Sequence, residues 1–232
     1  MALYNKVNKE VLKLRLQASD KKRITLSFYQ YAHIENPEMF RNEFYRLLEK
    51  TQVFGRIYVA KEGINAQISV PEPQFEQFKS DLYSIPFLNG IRLNIAIEDD
   101  GKSFYKLKIK VRNKIVADGL DDNSFDVTKR GKHLSAKEYN DLTEKDNTIV
   151  VDMRNHYESE VGHFEGAICP DVETFREELP LVADMLKKDK EKNIVMYCTG
   201  GIRCEKASAY MLHNGFENVF MLDGGIIEYA RQ

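Results

Sequence analysis

Hydrophobic and polar positions change their spacing several times along the first half of the chain. A β-rich run at 23–29 is followed by helical spacing over 36–50, where Phe40, Phe44 and Leu47 fall on one face. The same reasoning predicts two strands joined by a turn, a second helix and a last strand, at 53–60, 66–70, 74–83 and 92–98. The resulting order β-α-β-β-α-β is typical of a ferredoxin-like sandwich, in which two helices cover one face of an antiparallel sheet.

A further predicted strand at 104–116 carries positive charge at every second position. Its cations share one parity and therefore one face, whereas the apolar residues between them point to the core. The cations are Lys106, Lys108, Lys110, Arg112 and Lys114. Lysines on an edge strand prevent edge-to-edge pairing, but a row of this length exceeds that need and its charges repel one another. The row is therefore either a solvated edge or a surface that binds a polyanion such as RNA.

The second half has short buried runs that alternate with helices. Ser135 and Glu138 form a capping box that starts the first of these helices. Buried runs and helices then alternate over 148–151, 174–188, 193–197, 205–213 and 219–222. Such alternation predicts a parallel sheet with helices on both faces, and ligands bind beyond the carboxyl ends of the strands in sheets of this kind.

The expected organisation therefore combines an α+β domain with an α/β domain. With 232 residues, the chain is long enough for two modest cores. We expect an N-terminal extension at 1–22, a ferredoxin-like domain with the basic strand at 23–117, a polar linker at 118–132 and a parallel α/β domain at 133–232.

Composition narrows the class of protein. The formal net charge is −2, so charge over the whole chain neither favours nor excludes nucleic acid, and an RNA-binding surface has to be local. Three widely spaced cysteines form neither a disulfide framework nor a metal-ligand set. The sequence has no membrane span and no signal peptide. We expect a cytoplasmic protein without a membrane, metal or DNA partner, and the sequence does not indicate its oligomeric state.

The chemically most informative segment runs from Val195 to Arg203. An apolar run ends at Cys198, and Arg203 stands where a helix begins. The loop between them is Thr199, Gly200, Gly201 and Ile202. Inward N–H groups, the positive end of the helix and the arginine each favour the thiolate, which is the reactive form of cysteine. The alternative is a buried cysteine at the end of a core strand, followed by an ordinary glycine turn.

Five segments of the second half together resemble the rhodanese family. They are Asp152-Met153-Arg154, Glu158 with the run 162–167, the loop 198–203, the run 214–219 and the run 222–225. The resemblance implies that Cys198 is the nucleophile, able to carry a persulfide, and that Arg203 stabilises its anion. The six-residue loop resembles those that hold a sulfur atom, more than the longer loops of rhodanese-fold phosphatases.

The neighbouring residues are expected to have supporting roles, which for His163 is what the resemblance implies. Asp152, Arg154, Glu158 and His163 are expected to support the site structurally. Cys204 is either a resolving thiol for Cys198 or a small packed helix residue. Cys169, beside Pro170, is expected to be inert.

The whole chain also resembles the bacterial tRNA uridine hydroxylases. The runs that carry this resemblance are 55–65 (GRIYVAKEGIN) and 198–206 (CTGGIRCEK). It implies oxygen-dependent hydroxylation of uridine 34, the wobble position, to 5-hydroxyuridine, with dependence on Cys198. Molecular oxygen and an electron donor of unknown identity are implied as well, whereas no cofactor signature is recognisable in the sequence. The implied partner is tRNA, whose unpaired anticodon loop exposes the base and whose phosphates suit the basic strand.

Two chemical roles for Cys198 stay open, and two other functions compete with hydroxylation. The sulfur either adds to C6 of uracil and makes C5 electron-rich, or carries an oxidised or persulfidated sulfur that delivers the oxidising equivalent. The competing functions are a sulfurtransferase that uses a Cys198 persulfide and a non-catalytic RNA- or protein-binding module. Members of the hydroxylase family continue into a cysteine-rich C-terminal region, so we expect this sequence, which ends at Gln232, to be truncated.

Overall fold

The computed structural model describes residues 7–19, 21–97, 101–120 and 125–232. The chain divides between Ile115 and Val116 into two compact units, and each has its own core. Helix α1 (Lys9–Gln17) lies in the segment expected as an N-terminal extension. The other elements of the first unit are β1 (Arg23–Tyr31), α2 (Pro37–Lys50), β2 (Phe54–Ala60), β3 (Gly63–Pro71), α3 (Phe75–Tyr83), β4 (Asn94–Ile95) and β5 (Leu107–Val111).

The first unit is built on a five-stranded sheet with the order β4-β1-β3-β2-β5. Strands β1 to β4 pair antiparallel, which confirms the predicted ferredoxin-like arrangement. Alternate strand residues such as Phe28, Ile57 and Ile68 are buried together with Phe44 of α2 and Phe78 of α3. Burial of this apolar face provides the main stabilisation of the unit. The opposite face of the sheet lies outside this core.

The basic strand expected at 104–116 is shorter and is paired in a way that the sequence pattern did not indicate. Strand β5 pairs in parallel with β2 and adds an edge strand to the ferredoxin-like sheet. The ladder ends where Arg112 N–H donates to Val59 O, because β2 stops at Ala60 and turns back into its hairpin with β3. Lys108 and Lys110 lie in β5. The other expected cations, Lys106, Arg112 and Lys114, flank the strand.

The strand expected at 92–98 is also reduced, to the two residues of β4. Asn94 pairs with Ser27 and Ile95 pairs with Leu26 of β1. Ala96 N–H still donates to Thr25 O at 2.9 Å, so the backbone follows β1 for one residue more. Glu98, the last residue of the expected strand, lies outside the described residues.

The second unit is a parallel α/β structure. Its elements are β6 (Lys132–Leu134), α4 (Ala136–Thr143), β7 (Thr148–Asp152), α5 (His156–Ser159), α6 (Phe175–Met185), β8 (Asn193–Tyr197), α7 (Ile202–His213), β9 (Asn218–Leu222) and α8 (Gly225–Tyr229). All four strands pair in parallel in the order β6-β9-β8-β7. Helices α6 and α7 pack on one face and α4 and α8 on the other, which confirms the prediction for this half. The predicted capping box of Ser135 and Glu138 begins α4.

The segment 118–132, expected to be a linker, packs against the second unit where it is described. Asp118 and Lys206 of α7 are each 1% exposed, and Lys206 Nζ lies 2.5 Å from Asp118 Oδ2. Arg130 Nη1 lies 2.7 Å from Glu205 Oε2 on the same helix. A polar composition is typical of a linker, but these charges have their partners on α7. Because the partners are distant in the sequence, composition alone did not indicate them.

Replacing Asp118 by Ala is expected to destabilise the second unit by about 3–5 kcal/mol, because Lys206 would keep a buried charge without its partner. Chemical denaturation followed by circular dichroism measures this free energy of unfolding. The double variant Asp118→Leu/Lys206→Met removes both charges and is expected to recover most of the loss. Asp184→Ala breaks only an exposed pair with Lys187 and serves as the control. A loss for Asp118→Ala as small as that of the control would contradict the prediction.

Candidate active site around Cys198

Cys198 directly follows β8, which lies between β7 and β9 in the parallel sheet. The loop after it turns at Gly201, whose φ of 97° is a conformation that favours glycine. Gly201 is the N-cap of α7, and the helix begins at Ile202, three residues earlier than the helix predicted from 205. The positive end of the helix therefore faces the carboxyl end of β8, where the sulfur is placed.

Gly224, the N-cap of α8, and Gly225, its first residue, allow that helix to hold the carbonyl side of the loop. Ile226 N–H donates to Cys198 O at 2.9 Å, and Ile227 N–H donates to Thr199 O at 3.3 Å. A Cβ atom on Gly225 would lie 2.3 Å from Cys198 O, and the φ of Gly225 is +68°. A side chain at this position would therefore push α8 away from the loop. The loop carbonyls are thus engaged by α8, whereas Gly201 N–H donates to Cys198 Sγ at 3.1 Å.

The surroundings of Cys198 favour its thiolate. The residue is 1% exposed, and burial by itself raises the pKa of the thiol because it disfavours the charged form. The hydrogen bond from Cys204, the charge of Arg203 and the backbone N–H groups of both residues act in the opposite direction. Together they lower the pKa of Cys198 from 9.0 to about 6. Cys198 is therefore mainly a thiolate at neutral pH, which is the nucleophilic form.

Cys204 lies in the first turn of α7, fully buried, and its side chain hydrogen-bonds to Cys198. Burial, followed by the hydrogen bond to Cys198 and the negative charge there, raises the pKa of Cys204 well above its usual value. The two cysteines therefore differ in state, with a thiolate at Cys198 and a thiol at Cys204. This contact suits both expected roles of Cys204 and adds another, the donation of a hydrogen bond that stabilises the thiolate.

Arg203 is held by Glu158 rather than directed at the sulfur alone. Its Nη1 and Nη2 donate to the two carboxylate oxygens of Glu158 at 2.7 and 2.9 Å. Nη2 also donates to Thr199 Oγ1 at 3.0 Å, and the Thr199 hydroxyl donates to Glu158 at 2.5 Å. Burial raises the pKa of Glu158, but the hydrogen bonds from Arg203 and Thr199 outweigh it and lower that pKa to about 2. Glu158 thus fixes Arg203 and Thr199 beside the loop.

The other supporting residues, Asp152, Arg154 and His163, lie at the carboxyl end of β7 or in the segment after it. Arg154 donates from Nε and Nη2 to the carboxylate of Asp152, with a shortest distance of 2.6 Å. The Tyr197 hydroxyl donates to the same carboxylate at 2.8 Å, and Arg154 also donates to Gly162 O. His163 Nδ1 lies 3.0 Å from Ser159 O. These contacts tie the ends of β7 and β8 to the segment that follows α5.

Glu178 of α6 is a buried acid near the site that the sequence reasoning missed. It is fully buried, and neither carboxyl oxygen has a hydrogen-bond partner among the described residues. It lies on the helix face of Phe175 and Val182, which pack in one cluster with Cys198 and Cys204. Burial is the largest cause that raises the pKa of Glu178 to about 9, and the negative charges nearby, that of Cys198 among them, also raise it, whereas the charge of Arg203 acts in the opposite direction. The sequence signal that could have identified this buried acid is a glutamate on the apolar face of the predicted helix 174–188.

The described part of the chain contains no group of three or more His, Cys, Asp or Glu side chains that could hold a metal ion. None of the helices among residues 7–19, 21–97, 101–120 and 125–232 is long and apolar enough to cross a membrane. The expected basic residues all belong to the first unit, where Lys108 and Arg112 are exposed and the others are half-buried.

Comparison with known proteins assigns both units. Residues 23–115 match the family described as UPF0176 acylphosphatase-like domain, and residues 135–232 match the rhodanese-like domain family. The tRNA uridine(34) hydroxylase of Photorhabdus laumondii is 58% identical over 231 residues, which are 99% of this chain and 66% of that protein. By sequence, the chain belongs to the tRNA uridine(34) hydroxylase family. Both resemblances predicted from the sequence, to rhodaneses and to these hydroxylases, are confirmed.

A second member of the hydroxylase family gives the same result. The tRNA uridine(34) hydroxylase of Yersinia enterocolitica is also 58% identical over 231 residues, with 66% of that protein covered. The chain therefore spans about two thirds of the length of the curated relatives it matches. Among solved structures, a rhodanese-like domain protein from Staphylococcus aureus is similar over 42% of this chain and 90% of that chain, with 24% identity and a TM-score of 0.35.

The thiolate of Cys198 in this family member is expected to form with a midpoint near pH 6. Thiolate absorbance at 240 nm, taken as the difference between the protein and its Cys198→Ser variant, measures the midpoint. Cys204→Ala removes a hydrogen-bond donor and is expected to raise the midpoint by about one pH unit. Cys204→Ser keeps a donor and is expected to stay closer to the original value. Cys169→Ala is the control, and an equal effect of all three would contradict the assignment.

Glu178 is expected to make stability depend on pH. Its pKa is about 9 when folded and near 4.5 otherwise, so folding favours the protonated acid. This contribution is complete below about pH 4.5 and is lost as the pH rises through 9. Glu178→Gln stays neutral at every pH. The Tm of this variant relative to that of the unsubstituted protein should therefore increase as the pH rises from 5 to 9. Glu173→Gln, at an exposed position before α6, is the control. Parallel Tm curves for Glu178→Gln and the unsubstituted protein would show that Glu178 is not held as an acid.

Proposed function

We propose that this chain carries the RNA-binding and cysteine-bearing parts of an enzyme that hydroxylates uridine 34 of tRNA to 5-hydroxyuridine. The observation that carries the proposal is the buried sulfur of Cys198 in a glycine loop at the carboxyl end of a parallel sheet, where Gly201 N–H donates to it at 3.1 Å. Its support from comparison is the 58% identity to proteins named tRNA uridine(34) hydroxylase. This chain spans about two thirds of the length of those proteins.

In the proposed reaction, Cys198 acts as a nucleophile. Addition of its thiolate to C6 of the uracil ring breaks the C5–C6 double bond and makes C5 electron-rich and open to oxidation; after C5 is hydroxylated, loss of its proton expels the thiolate and restores the double bond. Loop N–H groups and Arg203 are the positive groups that polarise a ring carbonyl. Because Glu158 fixes the guanidinium through two hydrogen bonds, Arg203 is set before substrate arrives. Cys204, as a neutral thiol, donates to the sulfur and keeps it ionised in the free enzyme.

The overall reaction needs molecular oxygen and a reductant. One oxygen atom ends as the hydroxyl group on C5 and the other leaves as water, so each turnover consumes two electrons and two protons. We propose that the electrons come from an external donor. The substrate is the anticodon loop of tRNA, where base 34 is unpaired and accessible, and the enzyme accordingly acts in the cytoplasm.

Mass spectrometry of tRNA nucleosides tests the function. The complete gene is reintroduced into cells whose 5-hydroxyuridine derivatives fall when it is deleted. We expect the unsubstituted gene and Cys169→Ser to restore the modification, because the thiol of Cys169 donates to Ala167 O, outside the Cys198 loop. Cys198→Ser is expected to restore less than about 1%, since a serine hydroxyl is not ionised near neutral pH. Full restoration by Cys198→Ser would exclude a nucleophilic or sulfur-carrying role.

A sulfurtransferase makes a different prediction for the same variants. Transfer of sulfur from thiosulfate to cyanide by the purified complete protein, without any effect of gene deletion on 5-hydroxyuridine derivatives, would favour that function. Loss of the modification in the Cys198→Ser strain, with the protein present at its usual level, supports the hydroxylase. The rhodanese-like match of residues 135–232 is the observation that makes the sulfur-transfer assay worthwhile.

A further inference from the structure

The sheet of the first unit has an open face opposite α2 and α3. Along each strand, alternate residues are buried in the core, and the residues between them point to the other side. On that side Ser69, which accepts a hydrogen bond from Arg23, is buried, as are several residues at the strand ends, whereas the other side chains are half-buried or exposed. We call these others the open face: Thr25, Ser27, Tyr29, Phe54, Arg56, Tyr58, Asn65, Gln67, Lys108 and Lys110.

Charge on the open face has one sign. Arg56 is paired across the strands with Lys108, and Tyr58 is paired with Lys110. Arg112 follows directly, with its guanidinium 5.6 Å from the centre of the Tyr58 ring. None of the ten open-face residues is acidic. Placing like charges directly opposite each other destabilises a sheet, so the arrangement is expected to serve a ligand with negative charge.

Protection of a sheet edge does not explain this distribution. Lys108 and Lys110 lie on β5, which is an edge strand, and lysines there would prevent pairing with another chain. Arg56, however, lies on β2, which has β3 on one side and β5 on the other. An interior strand has no edge to protect. The positive charge therefore extends inward across the face, as a polyanion-binding surface requires.

Aromatic side chains lie beside the cations. Tyr58, Asn65 and Tyr29 form one row across β2, β3 and β1. Since neighbouring strands lie about 4.8 Å apart, the two tyrosines are about 10 Å apart, with Asn65 between them. Aromatic rings bind unpaired bases by stacking, and a polyanion without bases gains nothing from them. Cations together with two separated tyrosines fit a single-stranded nucleic acid better than a simple polyanion.

We propose that the open face binds single-stranded RNA, with bases stacked on Tyr58 and Tyr29 and phosphates held by Arg56, Lys108 and Lys110. The proposal extends the basic strand expected from the sequence to a surface across the sheet. It rests on the proposed function for the identity of the RNA, which is the anticodon arm of a tRNA. Binding and catalysis are separable because Cys198 belongs to the other unit.

Fluorescence anisotropy with a labelled anticodon stem-loop RNA tests the proposal on the complete protein. Arg56→Ala/Lys108→Ala is expected to weaken binding about ten-fold or more. It should also reduce the slope of log K against log salt by about 1.4, or about 0.7 for each lost phosphate contact. Arg46→Ala/Lys50→Ala removes the same charge from exposed positions on α2, on the opposite side of the sheet, and is the matched control. Equal weakening by both double variants would overturn the proposal.

Stacking is tested separately at Tyr58. Tyr58→Ala is expected to weaken RNA binding at least five-fold, whereas Tyr58→Phe keeps the ring and is expected to bind nearly as the unsubstituted protein does. Unchanged affinity of Tyr58→Ala, or competition by duplex RNA as strong as that by single-stranded RNA, would exclude the stacking surface. Circular dichroism confirms that each variant is folded before its affinity is used.

The same measurements distinguish this proposal from the proposed function. Cys198→Ser is expected to bind the stem-loop normally, because Cys198 is not part of the open face. If Cys198→Ser failed to abolish 5-hydroxyuridine while Arg56→Ala/Lys108→Ala still weakened binding, the RNA surface would stand and the catalytic role would not. If Arg56→Ala/Lys108→Ala bound the stem-loop normally while Cys198→Ser lost catalysis, the catalytic role would stand and the RNA surface would not.

Discussion

A buried negative charge at Cys198 is the constraint on which the second unit depends. Moving a thiolate out of water costs free energy, and that cost has to be offset by donors fixed around the sulfur. Gly201 N–H, the first N–H groups of α7 and the Cys204 thiol supply them. None of these donors can move away at low cost, since the loop carbonyls are held by α8 and the helix begins directly after the loop. The rigidity of the loop and the ionisation of the cysteine thus have the same origin.

The remaining charges near the site are arranged so that few are left unbalanced. Arg203 has Glu158 as its main partner and is near enough to Cys198 to favour the thiolate. A second buried anion without a partner would be costly, and Glu178 avoids it by retaining its proton. The site therefore holds an ionised cysteine, a paired carboxylate and a neutral carboxylic acid close together. Environment, rather than residue type, assigns these different states.

The charges on the open face of the first unit are exposed to water, in contrast to the buried charge at Cys198. The open face keeps Arg56 and Lys108 exposed and directly opposite each other, without an acidic residue in the surface. In the second unit a charge is made reactive by removal from water, whereas in the first unit charges stay in water, where a large anion can reach them. A net charge of −2 for the whole chain hides both arrangements, because each depends on where the charges lie.

The sequence by itself determined the elements whose signals are local. The capping box at Ser135, the cysteine followed by glycines and the alternation in each half are set by residues a few positions apart, so the two fold classes and Cys198 could be predicted. Tertiary structure alone decided that β5 pairs in parallel with β2 and that Asp118 meets Lys206. It also decided that Glu178 is buried near the thiolate. These outcomes join residues far apart in the chain, and the free energy of packing, rather than local spacing, selects them.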